Sequence, residues 1–158
     1  PRLQNINIWL ATPDDKVLGS GLFHLDKPDV HFVSVFINVF PVAPENGPLT
    51  ALPADLSRQV CCKTHYQSLY YNGNGRLPDV KMLPHCCEED MVSLTGPAGA
   101  GGICDTSICL HFGSRCHAGE RVTLMFRYAP AHKMQGQATA ILPRPQGLDP
   151  LREMFLSA

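Results

Sequence analysis

No apolar run in this 158-residue chain approaches the roughly 20 residues that a membrane-spanning helix requires. The longest, Phe32 to Phe40, is broken by Ser34 and Asn38, so no membrane partner is expected. Nor is there an excess of either charge: thirteen Lys and Arg face fourteen Asp and Glu, a formal net charge of −1. That balance offers no electrostatic footprint for nucleic acid. No internal repeat is visible. The length is one domain's worth, which predicts a single domain over residues 1–158, with its core at about 3–130 and a tail at 131–158.

The cysteines do not read as a disulfide framework. They number seven, an odd count, and four form the vicinal pairs Cys61-Cys62 and Cys86-Cys87. Secreted disulfide domains usually carry even sets at regular spacing, so the expectation is a cytoplasmic or other reducing compartment. Cys61 and His65 stand at a ligand-like gap, and His85, Cys116 and His117 lie near other cysteines. A zinc-stabilised interaction module is therefore kept as an alternative, although free cysteine is commonly just a small buried hydrophobe. The chain opens Pro1-Arg2-Leu3-Gln4, without Met and without the character of a signal peptide. The expectation is a processed product or a fragment of a longer reading frame.

What the sequence does contain is strand signal. Gln4 to Leu10 alternates, with Asn5 and Asn7 on one side and Ile6 and Ile8 on the other. Phe32 to Phe40, Met91 to Thr95, Ile103 to Leu110 and Arg121 to Tyr128 are rich in β-branched and aromatic residues. Turn clusters separate them at Thr12 to Asp15, Pro44 to Pro48, Tyr71 to Gly75 and Gly96 to Gly102. Helix is expected in two places only, a brief turn at Leu56 to Gln59 and a short C-terminal helix opened by Asp149 and Pro150. Tyr71 to Asp90 reads as a long surface loop. Many short strands between Gly and Pro turns predict an all-β sandwich or barrel, a jelly roll among them.

Chemistry enters with His24-Leu25-Asp26. In extended chain, alternate side chains share a face, so His24 and Asp26 can reach one metal ion together. That pattern alone is weak. A second histidine, His111, closes the stretch Ile103 to His111, read as one strand, and Gly113 then lets the backbone turn. Two histidines and a carboxylate make the facial triad that binds Fe(II) and leaves coordination positions open. Arg121 opens the next strand and supplies a planar fork that can grip a carboxylate bidentately. Arg115 and Arg127 compete for that role, ranked lower because one falls in the turn and the other late in the strand. His31 and His117 are spare candidates for the ligand set.

In these stretches the chain resembles the phytanoyl-CoA dioxygenase-like branch of the Fe(II)- and 2-oxoglutarate-dependent oxygenases. The resemblance rests on Phe23-His24-Leu25-Asp26, on Glu45-Asn46-Gly47-Pro48-Leu49 with Leu52 to Leu56, on Gly102 to Gly113, and on Arg121 to Pro130. It covers roughly residues 3–130. Phe23 stands where the family often has Trp, and Pro53-Ala54-Asp55-Leu56 stands where it has P-G-S-H. The resemblance implies a double-stranded β-helix of the jelly-roll, cupin-like kind, with His24, Asp26 and His111 as iron ligands. It also implies Arg121 on the distal carboxylate of 2-oxoglutarate, with Phe36 and Asn38 on the cosubstrate side. Family members carry a helical N-terminal region on the larger sheet, and this chain begins at about the first barrel strands. The implication is a homo-oligomer or a missing N-terminal region that covers that sheet face.

The expected activity is a dioxygenase that uses Fe(II), 2-oxoglutarate and dioxygen to hydroxylate a small or acyl-type organic substrate, releasing succinate and carbon dioxide. Three alternatives stand beside it: a non-catalytic jelly-roll binding module, the zinc-stabilised module, and a cupin-type metalloenzyme that does not use 2-oxoglutarate.

Overall fold

The computed structural model describes residues 2–26, 31–66 and 75–130. The expected C-terminal helix and tail, and most of the Tyr71 to Gly75 turn, lie outside the described residues. Among the described residues seven strands run β1 (Arg2–Ala11), β2 (Val33–Asn38), β3 (Thr50–Ala51), β4 (Val92–Ser93), β5 (Gly101–Asp105), β6 (His111–Phe112) and β7 (Arg121–Ala129). They form two antiparallel sheets, a larger one in the order β1-β7-β2-β5 and a smaller one in the order β4-β3-β6. This is the expected jelly roll.

The larger sheet follows period two. Ser34, Phe36 and Asn38 of β2 and Arg121, Thr123 and Met125 of β7 are buried on the inner face. The outer face carries one apolar row across all four strands, because Ile6 pairs with Phe126, Phe126 with Val35, and Val35 with Ile103. Ile8 and Ile103 are about three-quarters exposed on that face, at 74% and 75%.

The smaller sheet is extended by single bridges. His24 pairs with His111, and Phe23 with Leu77. Alternation then divides its two faces: His24 and His111 turn towards the larger sheet, while Phe23, Leu25 and Leu110 join the main hydrophobic core behind. That core is completed by two helices, α1 (Ala54–Lys63) and α2 (Asp79–Met82), through Val60 and Met82.

Three expectations are corrected here. Helix α1 runs ten residues where a brief turn at Leu56 to Gln59 was expected. A helix of this length is marginal by itself; burial of Val60 stabilises it by roughly 1.5–3 kcal/mol, and the buried Ser57 ties it to the sheet. The Ser57 hydroxyl donates to the Leu52 carbonyl at 2.9 Å and accepts the Leu110 N–H at 2.9 Å. The described part of the supposed loop to Asp90 contains α2, two 3-10 turns and the Leu77 bridge. Finally, Ile103 to His111 is not one strand. It breaks after Asp105, whose carbonyl accepts the N–H of Cys109 at 3.0 Å and whose carboxylate accepts that of Ser107 at 3.1 Å. This turn moves the chain from the larger sheet to the smaller one.

Candidate metal centre

His24 and His111 exchange both backbone hydrogen bonds, at 2.9 and 3.0 Å. A directly opposed antiparallel pair projects its side chains to the same face, and the two imidazole centroids lie 4.3 Å apart. Asp26 follows two residues after His24 on the same parity. Its N–H donates to the Thr106 carbonyl at 2.8 Å, in the turn after β5. The ladder and the turn together bring three ligand atoms within 4.8 Å of one another. Among the described residues, His24, Asp26 and His111 are the only group of three or more His, Cys, Asp or Glu so arranged; the cysteines form no such group.

The second nitrogen of each ring is already used. His24 Nδ1 lies 2.8 Å from the Leu22 carbonyl and His111 Nδ1 lies 2.9 Å from that of Cys109. A carbonyl oxygen only accepts, so both rings carry their proton on Nδ1 and turn the Nε2 lone pair towards Asp26. Histidines that ligate metals are held in this way. His24 Nε2 is 3.8 Å from Asp26 Oδ1, and His111 Nε2 is 3.9 Å from Oδ2. Burial, reinforced by the charge of His111, lowers the His24 pKa to about 4. Burial also lowers that of His111. Both rings are neutral at pH 7, the form that binds a metal.

The triad opens into a cavity of about 240 Å³ between the sheets, lined by Phe36, Arg121, Thr123 and Arg127 from the larger sheet. Arg121 is 6% exposed. Its guanidinium donates to the Thr123 hydroxyl at 3.1 Å and to the Ser114 hydroxyl at 3.5 Å, while Nε has no partner among the described residues. Burial lowers its pKa. Among the described residues no carboxylate pairs with it. A buried cation left to two hydroxyls is costly, and a ligand carboxylate relieves that cost. The residues present therefore fit both a divalent metal and a carboxylate cosubstrate.

The other sequence candidates lie as follows. Phe36 lines the cavity, 8% exposed, and packs with Leu49 and Met125. Asn38 shares its face, but its amide donates to the Leu94 carbonyl at 3.2 Å and it does not line the cavity. Arg115 sits away from the triad, paired to both carboxylate oxygens of Asp79 at 2.7 and 3.0 Å and stacked 3.7 Å above Phe112. Arg127 does reach the site, where it binds Asp26 at 3.0 Å. His31 pairs with Asp105 at the surface, and His117 is exposed on the turn before β7. The sequence reading passed over Trp9, which also lines the cavity, as does Arg76 from the segment Arg76-Leu77-Pro78 that the sequence offers either as the lining of a substrate mouth or as an ordinary loop. Arg127 shares the parity of Arg121, a signal that could have placed it inward.

The turn Glu45-Asn46-Gly47 serves the site indirectly. The Glu45 carbonyl accepts the N–H groups of His117 and Ala118, and the Asn46 amide donates to the Ala118 carbonyl at 2.8 Å. These bonds hold the connection from His111 to Arg121. Gly47 sits at φ 69°, and a Cβ there would lie 2.6 Å from the Arg115 backbone.

No protein-family model and no curated protein sequence matches the chain. Among solved structures, similar chains include EvdMO1, at TM-score 0.49 and 15% identity over 81% of this chain and 28% of that one. They also include HygX from Streptomyces hygroscopicus with nickel and 2-oxoglutarate bound, at TM-score 0.48 and 15% identity over 82% of this chain and 56% of that one. HygX with iron bound gives TM-score 0.37 and 13% identity over 82% of this chain and 54% of that one. The chain thus spans between about a quarter and somewhat over half the length of these proteins. Likenesses so distant assign no family. No helix among the described residues is long and apolar enough to cross a membrane.

Proposed function

We propose that the chain is an Fe(II)- and 2-oxoglutarate-dependent dioxygenase that hydroxylates a small or acyl-type organic substrate. One observation carries the reading: two neutral imidazoles and a carboxylate converge in the same cavity as a buried arginine that has no acid partner among the described residues. His24, Asp26 and His111 would hold iron, leaving positions on the cavity side for exchangeable ligands. Bound there, iron supplies the activation of dioxygen that couples decarboxylation of 2-oxoglutarate to oxidation of a C–H bond.

The protein's part is positioning. Arg121 fixes the distal carboxylate of the cosubstrate with the donors not taken by Thr123 and Ser114. The Leu22 and Cys109 carbonyls keep both Nε2 atoms aimed inward. Phe36 and Met125 present apolar surface that limits water.

The test measures succinate formed from 2-oxoglutarate with Fe(II), alongside stoichiometric Mn(II) binding by electron paramagnetic resonance. Wild type should do both. Asp26→Ala and His111→Ala should do neither while remaining folded, since the His24–His111 ladder is made by backbone. Succinate formation at the wild-type rate in either variant would end the assignment.

A further inference from the structure

Among the described residues no cysteine is in a disulfide, but two thiols meet across the turn that joins the sheets. Cys104 lies near the end of β5, directly opposite Ser34 of β2. Its side chain therefore shares the inner face with that buried serine, where it packs against Phe36, Leu49 and Met125. Cys109 closes the turn, its N–H donating to the Asp105 carbonyl at 3.0 Å. The Cys104 thiol donates a hydrogen bond to the Cys109 sulfur. Cys86 and Cys116, by contrast, give their thiol protons to backbone carbonyls.

The same turn orients two of the three candidate metal ligands. The Thr106 carbonyl accepts the Asp26 N–H at 2.8 Å, and the Cys109 carbonyl lies 2.9 Å from His111 Nδ1. The two ends of the turn are held unequally. Thr106 is fully buried and gives both its N–H and its hydroxyl to the Phe32 carbonyl, each at 3.0 Å. The Asp105 carboxylate accepts the N–H groups of Phe32 and Ser107. The N–H groups of Ile108 and Cys109 reach no further than the Asp105 carbonyl. A pull between the two sulfurs therefore moves Cys109 before Thr106, and with it the carbonyl that holds the His111 ring.

We propose that Cys104 and Cys109 are a redox modification site: a low-molecular-weight disulfide oxidises the pair to a protein disulfide, and closing that bond loosens the metal centre. In the first exchange the Cys109 sulfur, on the turn, attacks one sulfur of the reagent R–S–S–R, forming a mixed disulfide and expelling one thiolate. In the second, the Cys104 sulfur attacks the Cys109 sulfur and expels the other. The two thiol protons go to the two leaving groups, and two electrons pass from the cysteine pair to the reagent, which ends as two RSH. The bonded sulfurs sit about 2.05 Å apart, well inside hydrogen-bonding separation, so Cys109 is drawn towards β5 and its carbonyl away from His111 Nδ1. Burial pushes the Cys104 thiol up to about 12 and raises that of Cys109, which slows the exchange to the order of hours. The effect on the metal rests on the ligand set of the proposed function; formation of the disulfide does not.

The experiment incubates the 158-residue chain, free of metal, with oxidised glutathione, blocks the remaining thiols with iodoacetamide and removes the reagents. A protease that cuts before aspartate separates the two cysteines at Asp105, so mass spectrometry finds their peptides joined only through the disulfide. The joined pair should dominate over links that involve the other five cysteines. Mn(II) titration by electron paramagnetic resonance should then show affinity weakened by about tenfold or more in the oxidised chain, and a parallel sample reduced with dithiothreitol before the block should regain it. Cys104→Ser and, separately, Cys109→Ala should lose this response to the oxidant, each compared with its own untreated sample. Absence of the joined peptides, an unchanged Mn(II) affinity in the joined chain, or an equal loss in folded Cys104→Ser would each overturn the inference. If the reduced wild type binds no Mn(II), the metal reading fails and the effect on the metal falls with it, while the peptide map still decides whether the disulfide forms.

Discussion

Arg127 donates to Asp26 Oδ2 at 3.0 Å, while Asp26 Oδ1 faces His24 Nε2 at 3.8 Å. The carboxylate is thereby divided: one oxygen is held by a guanidinium from β7, and the other is directed at the imidazole two residues earlier. Arg127 is itself steadied by the Phe32 ring, 4.9 Å below its guanidinium carbon. The pair spans 101 positions in sequence and joins the strand of Arg121 to the candidate metal ligands.

Removing that hold should loosen the metal. Arg127→Met keeps an unbranched apolar stem but removes the charged donor and frees Asp26 to rotate, and metal affinity should fall by roughly 10- to 100-fold. Mn(II) titration measures this, and Arg127→Lys should recover part of the loss. Unchanged affinity in Arg127→Met would remove Arg127 from the support of the site.

Arg121→Ala removes a binding clamp and leaves the metal ligands in place. Mn(II) affinity should stay near wild type while the 2-oxoglutarate concentration needed for half-maximal succinate formation rises by about tenfold or more. An unchanged requirement would move the carboxylate site to another arginine of the cavity.

The buried imidazoles make stability pH-dependent. His24 titrates at about 4 when folded and near 6.5 when unfolded, so the unfolded chain binds more protons between those values. Its contribution is complete above pH 6.5 and is lost progressively as pH falls towards 4. For one imidazole that span is worth roughly 3 kcal/mol. His111 adds in the same direction. Thermal unfolding of the metal-free chain from pH 7 to 4.5 should show a falling Tm, with a shallower fall in His24→Gln. Parallel curves for the two proteins would contradict the assignment.

Gly47→Ala should destabilise the chain by about 1–3 kcal/mol, because alanine resists φ 69° and its Cβ would strike the Arg115 backbone. Urea unfolding measures the cost. A loss below a few tenths of a kcal/mol would mean that the turn shifts to accept the methyl group.

Ser57→Ala tests the link between α1 and the strand of His111. It leaves the Leu110 N–H without its acceptor in a buried setting, at a cost of about 1–3 kcal/mol. Hydrogen exchange at Leu110 and His111 should accelerate together with the loss of stability. Exchange at wild-type rates would show that β6 is held without the helix.

The sequence by itself determined what depends on near neighbours. Alternation placed His24 and Asp26 on one face and located β1, β-branched and aromatic runs located β2 and β7, and the cluster Pro44 to Pro48 marked a turn. It did not show that Asp105 breaks the chain between the sheets, or that ten residues from Ala54 form a helix. It also did not show that Arg127 goes to Asp26 while Arg115 leaves for Asp79. Those outcomes were decided by tertiary structure, because they depend on which distant strands pair and in what register. Local pattern states which side of a strand a residue takes; only the closed pair of sheets decides what that side meets. His111 became the partner of His24 through two backbone hydrogen bonds between segments far apart in the chain, and no property of either residue alone encodes that pairing.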